Sequence, residues 1–370
     1  MLSLKKKNFT NIDWPLILLS SMLCLCGLLV LESAGYDPVI SESLPMKRQA
    51  ASMGIGFLFF FIGMAFSSNS LKSSAYFVYA LCVLLLVGVL LAGDVAGGAR
   101  RWINLGGLRV QPSEFMKIGV ILAMAKFLTR ENVPKNGYTL PTLILPSLML
   151  GLPALLILKQ PDLGTALVNI MIGGSMVLLA GVNIKTLTKL ALTGALLMIP
   201  TWNFVLKDYQ KQRVLTFLSP ESDPLGSGYH ALQSKIAVGS GAAFGKGFLK
   251  GTQTQLRFLP EQTTDFIFSV LAEEWGFFGS VFVIFLYGLL ISRILSVASK
   301  CTDNFSSYVC FGVACLLFWH TLVNIGMVIG ILPVVGVTLT LLSFGGSSVM
   351  TVLAGVGIVS GFSMRRYMFS

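Results

Sequence analysis

Charged residues are scarce in this chain. Only 12% of its 370 residues are Asp, Glu, Lys or Arg, whereas 54% are hydrophobic, and the mean hydropathy is +0.79. Because this composition lies far outside the range of soluble globular domains, the soluble class is excluded. The long apolar runs also lack the alternation of apolar and polar residues that strands of an outer-membrane barrel require, which excludes that class as well.

Residues that build metal or nucleophile sites are also few. The six cysteines form no CxxC pair, and His230 and His320 cannot make a metal site by themselves. We therefore predict buried, apolar cysteines and no metal site, and no Ser, His and Asp constellation can be read. The net charge of +11 is spread along loops without an aromatic-studded basic module, so we expect no nucleic-acid partner.

Uncharged runs of about 20 residues recur along the whole chain, which is the length that spans a bilayer as a helix. We predict an all-α, polytopic membrane protein with a single domain over residues 1–370 and about ten transmembrane helices. The first span follows Lys5, Lys6 and Lys7, and we interpret it as an uncleaved signal anchor. The predicted spans are residues 14–31, 50–67, 73–93, 113–129, 139–158, 164–182, 187–205, 265–292, 306–331 and 344–363.

The distribution of Lys and Arg predicts the topology. With the N- and C-termini in the cytoplasm, every cytoplasmic loop carries Lys or Arg, as the positive-inside rule requires. One long hydrophilic segment, about residues 206–264, then joins the seventh and eighth spans on the outer face and should contain a short helix near HALQSKIAV. Its seven Lys or Arg residues and its length indicate a functional loop with an anionic partner.

Three carboxylates lie at the start of the eighth span. Asp265 precedes the apolar run, so it can cap the helix or act as a catalytic carboxylate, and both readings stay open. A helix N-terminus lowers a carboxyl pKa, whereas burial raises it.

Glu273 and Glu274 lie inside the span, where a charged side chain needs a partner. We expect this partner to be a Lys such as Lys126 or Lys117. The alternative is that the two carboxylates serve protons or a cation.

Further polar groups mark the span ends. Glu114 and Lys117, spaced i, i+3, should form an ion pair that fixes the bundle, with substrate contact as the alternative. Asp162 should cap the sixth span. His320, four residues before Asn324, should make an interhelical hydrogen bond.

Cationic residues in the connections could bind anions. Arg100 and Arg101 could bind lipid headgroups or substrate. Three lysines among glycines could bind phosphate oxygens: Lys235, Lys246 and Lys250.

Several blocks together resemble one family. They are GARRWINLG, QPSEFMK, KQPDLGT, YQKQRV, GSGYHALQSKIAVGSG, LPEQTTDFIFSVLAEEWG and NIGMVIGILPVVGV. In this order, over nearly the full chain, they resemble the SEDS family (shape, elongation, division and sporulation), and most of all its elongation branch. The chain departs from the family pattern at Thr338 and Thr340, which stand where relatives have prolines.

The resemblance implies a ten-helix peptidoglycan glycosyltransferase for cell elongation and rod shape. It would polymerise lipid II on the outer face of the bacterial cytoplasmic (inner) membrane, with a class B penicillin-binding protein as its transpeptidase partner. The essential aspartate of the family falls on Asp265, whose implied role is general base for the acceptor hydroxyl. Transfer from an α-linked undecaprenyl diphosphate to the acceptor 4-hydroxyl would give a β-linked product by inversion.

This reaction also needs positive charge at the departing diphosphate, for which Arg101, Arg213, Lys235 and Lys246 are candidates. No cofactor is evident, although Mg²⁺ or Mn²⁺ could assist. The alternatives are a flippase for a lipid-linked precursor and a scaffold that only activates the transpeptidase; a scaffold would tolerate loss of Asp265. The full set of predicted substrate-binding residues is Arg101, Glu114, Lys117, Asp162, Arg213, Lys235, Lys246 and Glu261.

Overall fold

A computed structural model shows a bundle of long helices. It describes residues 12–37, 42–96, 99–105, 108–130, 137–206, 208–219, 227–259 and 261–366. Lys5, Lys6 and Lys7, which support the predicted topology, lie outside the described residues. In chain order the helices are α1 (Trp14–Ala34), α2 (Leu44–Ala65), α3 (Ser68–Ala92), α4 (Pro112–Leu128), α5 (Leu140–Lys159), α6 (Leu163–Leu179), α7 (Ile184–Pro200), α8 (Asp208–Leu218), α9 (Ser227–Ser240), α10 (Thr252–Gln255), α11 (Ile267–Ala298), α12 (Asn304–Val328) and α13 (Gly346–Arg366).

Ten of these helices coincide with the ten predicted spans, and the all-α membrane class is confirmed. Within the described part of the chain, seven helices are long and apolar enough to cross a bilayer, namely α1, α2, α3, α5, α11, α12 and α13. Three others, α4, α6 and α7, have 17 residues each. The chain is therefore a multi-pass membrane protein, and the total of ten crossings stays a prediction.

The loop between α7 and α11 has helical structure of its own. A π-helical turn (Thr201–Val205) extends α7, and α8, α9 and α10 follow. Helix α9 contains HALQSKIAV, so the predicted short helix is confirmed. It packs on α11 and α12, which joins the loop to the bundle.

Short antiparallel strands lie in two other connections, and the sequence patterns did not predict them. Strands β1 (Tyr36–Asp37) and β2 (Glu42–Ser43) pair between α1 and α2. Strands β3 (Asp94–Ala96), β4 (Ala99–Leu105) and β5 (Leu108–Val110) form a sheet in the order β3-β4-β5 between α3 and α4. Strand β4 of the second sheet contains Arg101, whose side chain reaches the start of α6.

Glycines allow α2 and α13 to approach at backbone distance. A Cβ on Gly63 would lie 2.7 Å from the carbonyl oxygen of Ala354, and a Cβ on Gly357 or Gly361 would collide with the backbone of Phe60 or Met64. In a membrane, burial of apolar surface contributes little to the association of helices. Small residues at four-residue spacing instead allow two helices to pack closely. This contact anchors α13 and the segment that precedes it.

Helix α11 is interrupted at Gly276, whose φ of 67° lies outside the helical region. The interruption frees backbone groups that bond to the loop after α9: Gly247 N–H donates to Glu274 O (3.0 Å), and Phe277 N–H donates to Ala242 O (2.9 Å). Only glycine fits at 276, because a Cβ would meet Ala243 O at 2.7 Å. The loop thus fixes the first half of α11, which begins at Ile267, two residues after Asp265.

Candidate active site

Asp265 lies in a turn formed by residues 261–266, directly before α11. The carbonyl of Glu261, a residue with φ of 52°, accepts the N–H groups of Thr264 (3.1 Å), Asp265 (3.1 Å) and Phe266 (3.3 Å). The helix begins only at Ile267, with Phe266 in the cap position. Among the described residues, the carboxylate of Asp265 accepts no backbone N–H of α11, so the capping reading is not borne out.

The environment of Asp265 makes its carboxylate a better base. The residue is half-buried, and its pKa rises from 3.8 to about 6. Burial is the largest cause, the negative charge of Glu261 adds to it, and the guanidinium of Arg213 opposes it. A carboxylate with a pKa of about 6 is ionised at pH 7 and has the basicity that general-base catalysis favours.

A segment called here the strap, residues 329–345 between α12 and α13, is fastened to the Asp265 turn. Asn324, fully buried on α12, donates from Nδ2 to the carbonyl of Asp265 (2.9 Å) and to that of Val337 (2.7 Å). The Ser343 hydroxyl donates to Thr264 O (2.6 Å). A Cβ on Gly336 would lie 3.3 Å from Asp265 Oδ2, so the strap also faces the carboxylate.

The start of α6 reaches the same strap. Asp162 Oδ1 accepts the Thr165 N–H at 3.1 Å, which confirms the predicted cap. Burial raises the pKa of Asp162, and the charge of Arg101 opposes that rise. A Cβ on Gly164 would lie 2.8 Å from Val335 O, so α6 packs directly on the strap. Arg101 donates from Nε to Gln160 O (2.8 Å) and also bonds to the Pro161 carbonyl.

Glu114 and Lys117 form the predicted ion pair (2.8 Å), deep in the bundle. Lys117 is fully buried, and its Nζ also donates to Nε2 of His320 on α12 (2.7 Å). Since Nε2 accepts, Nδ1 carries the proton and donates to the carbonyl of Thr338 in the strap (3.0 Å). The interhelical hydrogen bond of His320 is confirmed. The burial supports the bundle-fixing role of the pair over substrate contact.

The expected partner of Glu273 was wrong. Glu273 pairs with Lys246 (2.8 Å), not with Lys126 or Lys117, and it also accepts the backbone N–H groups of Gln253 and Thr254. Lys126 instead donates to Ser73 O on α3 (3.1 Å). Glu274 accepts the hydroxyl of Ser33 on α1. Both glutamates therefore hold α1 and the loop between α7 and α11 against α11.

Arg213 on α8 and Lys235 on α9 line a cleft beside the strap. Glu261 is exposed at the rim of the turn. Within the described residues, no group of three or more His, Cys, Asp and Glu side chains could hold a metal ion. The structure thus groups Asp265, Glu261, Asp162, Arg101, Arg213 and Lys235 around the strap, places Lys246 on Glu273, and keeps Glu114 and Lys117 inside the bundle.

The sequence patterns did not reveal the role of the strap or of Asn324. The available signal was a buried polar residue one helical turn after His320 in an apolar span, since such residues in membrane helices usually have a specific partner. Pattern alone cannot show that this partner is the backbone of Asp265, 59 residues earlier in the chain.

Comparisons with known proteins agree over almost the whole length. The family model FTSW_RODA_SPOVE, described as "Cell cycle protein", matches residues 14–368. Peptidoglycan glycosyltransferase MrdB of Escherichia coli (strain K12) is 40% identical over 96% of this chain and 94% of its own. Peptidoglycan glycosyltransferase RodA of Treponema pallidum (strain Nichols) is 32% identical over 97% and 99%.

Solved structures with the same fold are also similar. A chain in a peptidoglycan synthase complex that coordinates polymerization and crosslinking superposes with a TM-score of 0.82 at 35% identity, covering 96% of this chain and 98% of that one. The rod shape determining protein RodA of Thermus thermophilus gives a TM-score of 0.71 at 32% identity, with the same coverage.

Proposed function

The chain belongs to the FtsW, RodA and SpoVE family of cell cycle proteins and is a peptidoglycan glycosyltransferase, and we propose that Asp265 is the general base with which it polymerises lipid II. The observation that carries this proposal is the half-buried carboxylate in the turn before α11, with a pKa raised to about 6 and the cation Arg213 near enough to act on it. A carboxylate that serves only as a helix cap would bond to backbone N–H groups, and this one accepts none from α11 among the residues that the structure describes.

The proposed step is a displacement at the anomeric carbon of the growing strand. The 4-hydroxyl of the acceptor attacks this carbon, Asp265 takes the hydroxyl proton, and the bond to the diphosphate oxygen breaks. The electron pair leaves with undecaprenyl diphosphate, whose negative charge needs nearby cations. The single displacement inverts the anomeric configuration, and no covalent enzyme intermediate forms. The strap and Asn324 hold the base in place.

The setting of this reaction is part of the proposal. Both termini lie in the cytoplasm, the Asp265 turn and the 206–264 loop lie on the outer face of the cytoplasmic membrane, and a class B penicillin-binding protein crosslinks the product. The related chain found in a peptidoglycan synthase complex supports such a partner. Single-cysteine labelling from outside intact cells tests the topology, because a cysteine at exposed Lys250 should react and one at exposed Lys300 should not.

A divalent cation would assist at the diphosphate. Mg²⁺ or Mn²⁺ would neutralise part of the diphosphate charge when bound. The described residues supply no ligand cluster of their own, so such an ion would arrive with the substrate. Polymerisation in EDTA, followed by titration with either ion, tests the requirement.

The deciding experiment is strand synthesis from purified lipid II by the full chain with its transpeptidase partner. Asp265→Asn keeps the shape of the side chain and removes the base, so we expect a loss of about 10²–10⁴-fold in rate. Asp208→Asn, at an exposed aspartate in the same outer loop, is the matched control and should polymerise normally. Equal synthesis by wild type and Asp265→Asn would contradict the proposal and restore the scaffold reading.

A further inference from the structure

The strap lies inside the bundle although it forms neither helix nor strand. Its residues Leu339, Leu341 and Leu342 are fully buried. Leu341 has a φ of 72°, in the left-handed region that residues other than glycine rarely adopt. Such a backbone conformation persists only where the surrounding structure fixes it, and it occurs preferentially at functional sites. The contacts around residues 337–344 must therefore hold the strap in this conformation.

Two buried side chains, called here the two clamps, bind the middle of the strap. His320 on α12 donates from Nδ1 to the carbonyl of Thr338 (3.0 Å). The hydroxyl of Tyr287 on α11 donates to the carbonyl of Thr340. Both side chains are almost completely buried, so a lost clamp leaves a strap carbonyl without its donor in an apolar setting. The two helices thus fix the strap at alternate residues.

The ring of His320 is itself held in one state. The ammonium of Lys117 lies 2.7 Å from Nε2 of His320 and 2.8 Å from Glu114 Oε2. An ammonium can only donate, so Nε2 accepts and Nδ1 carries the proton. The buried ion pair of Glu114 with Lys117 therefore selects the tautomer that His320 needs to bind the carbonyl of Thr338.

The two clamps act between two points at which the strap contacts the Asp265 turn. Before them, Asn324 joins the strap to the carbonyl of Asp265 (2.9 Å). After them, the N–H of Phe344 donates to the carbonyl of Thr263 (2.8 Å). Residues 338–340 lie between these contacts, so a shift there displaces the two strap segments that support the turn.

The end of the strap has fastenings of its own. Gln49 on α2 donates from Nε2 to the carbonyl of Ser343 and accepts the N–H of Gly345, both at 3.0 Å. A Cβ on Gly27 of α1 would lie 2.6 Å from the carbonyl oxygen of Leu341, so α1 packs on the strap backbone. These contacts remain when a clamp is removed, and we expect such variants to fold with a looser middle of the strap.

We infer that His320 and Tyr287 are positioning residues for glycosyl transfer, which hold the middle of the strap so that the strap covers Asp265 and keeps its turn in place. They act through the strap and not on the substrate. This inference rests on the proposed function, because it assigns the support of the base named there.

A looser strap should also change the basicity of Asp265. Burial is the largest cause of the rise of its pKa to about 6, and the strap lies against its carboxylate. The charges that act on this carboxylate come from the turn, α6 and α8, and they are Glu261, Asp162 and Arg213. Greater access of water should therefore lower the pKa and move the midpoint of the pH–rate profile to lower pH. A general loss of stability would not move this midpoint.

The test is steady-state strand synthesis from purified lipid II by the full chain with its transpeptidase partner, measured between pH 4 and pH 8. Tyr287→Phe removes one hydroxyl, and His320→Phe removes both ring nitrogens. Each should lower kcat at least about tenfold, leave KM within about threefold, and move the rate midpoint to lower pH. His320→Gln should restore most of the rate, because an amide can accept from Lys117 and donate to the carbonyl of Thr338.

Tyr79→Phe is the matched control. The hydroxyl of Tyr79 on α3 donates to the carbonyl of Met149 on α5 (2.9 Å), so this substitution removes the same kind of interhelical bond at another place. Its kcat and its rate midpoint should equal those of wild type. The folding of each variant is checked by its helical circular dichroism and its elution in size exclusion.

Wild-type kcat in both Tyr287→Phe and His320→Phe would overturn the inference, as would a His320→Gln variant as slow as His320→Phe. Equal losses in Tyr79→Phe and Tyr287→Phe with an unmoved midpoint would assign the loss to general packing and would also overturn it. Asp265→Asn separates the two failures. If this variant still polymerised lipid II, the proposed function would fail; if it were inactive while both Phe variants were normal, only the role of the clamps would fail.

Discussion

Removing the charge of Asp265 should stabilise the protein at high pH while it abolishes polymerisation. The pKa of this carboxyl rises from 3.8 to about 6 in the folded state. At about 1.4 kcal/mol per pKa unit, the ionised form costs the fold about 3 kcal/mol. Asp265→Asn removes this cost, so the variant should exceed wild type in free energy of unfolding by up to about 3 kcal/mol at pH 8.

The sign of the pH dependence follows from which state holds the proton. Below about pH 4 the carboxyl is protonated in both states, and wild type and variant should be equally stable. Between about pH 4 and pH 6 the unfolded chain loses its proton while the folded chain keeps it, so the wild type loses stability as pH rises. Above about pH 6 the difference is complete and constant.

Activity should follow the opposite course. The wild-type rate should fall tenfold per pH unit below about pH 6, because only the ionised carboxylate is a base, and should level off above it. Thermal unfolding of both proteins in detergent at pH 4, 6 and 8, alongside the pH–rate profile, gives both curves. Glu261→Gln removes a negative neighbour and should move the midpoint of the rate to lower pH. A rate midpoint near pH 4 would refute the reasoning, and so would an Asn variant whose stability advantage over wild type is no larger at pH 8 than at pH 4.

Three further substitutions test other parts of the site. Lys117→Met leaves the buried carboxylate of Glu114 without its partner, so thermal unfolding should show a loss of about 3–5 kcal/mol. Asn324→Leu removes the donor to Asp265, and steady-state kinetics should show a larger fall in kcat than rise in KM; the reverse pattern would contradict a positioning role. Gly276→Ala forces a Cβ into a left-handed backbone, and the free energy of unfolding should fall by about 1–3 kcal/mol or more.

Local features of the fold were predictable from the sequence. The apolar runs gave the positions of ten helices, since one helical span needs only a continuous stretch of chain. The ion pair of Glu114 with Lys117 and the cap formed by Asp162 were predictable for the same reason. Each depends on residues three positions apart, and helix geometry alone brings them together.

Contacts between distant segments were not predictable in this way. Lys246 reaches Glu273 because the interruption at Gly276 opens α11 to the loop after α9, and neither the interruption nor the docking has a signal in residue periodicity. The hydrogen bond from Asn324 to Val337 likewise depends on how the strap folds back on α12. The strands between α3 and α4 are short and carry many polar residues, so the search for apolar spans passed over them.

The pKa of Asp265 shows how such a distant contact decides the chemistry. At the mouth of a helix the backbone dipole and cap hydrogen bonds would lower the pKa and weaken the base. The turn at Glu261 instead ends before the helix begins, so the carboxylate receives no cap bond, and the strap covers it from the α12 side. Burial then outweighs the helix terminus and the charge of Arg213, which leaves a carboxylate that is both ionised and basic at neutral pH. The same strap that covers this carboxylate also lines the cleft that contains Arg213 and Lys235, so one segment shapes the surroundings of the carboxylate and of both cations.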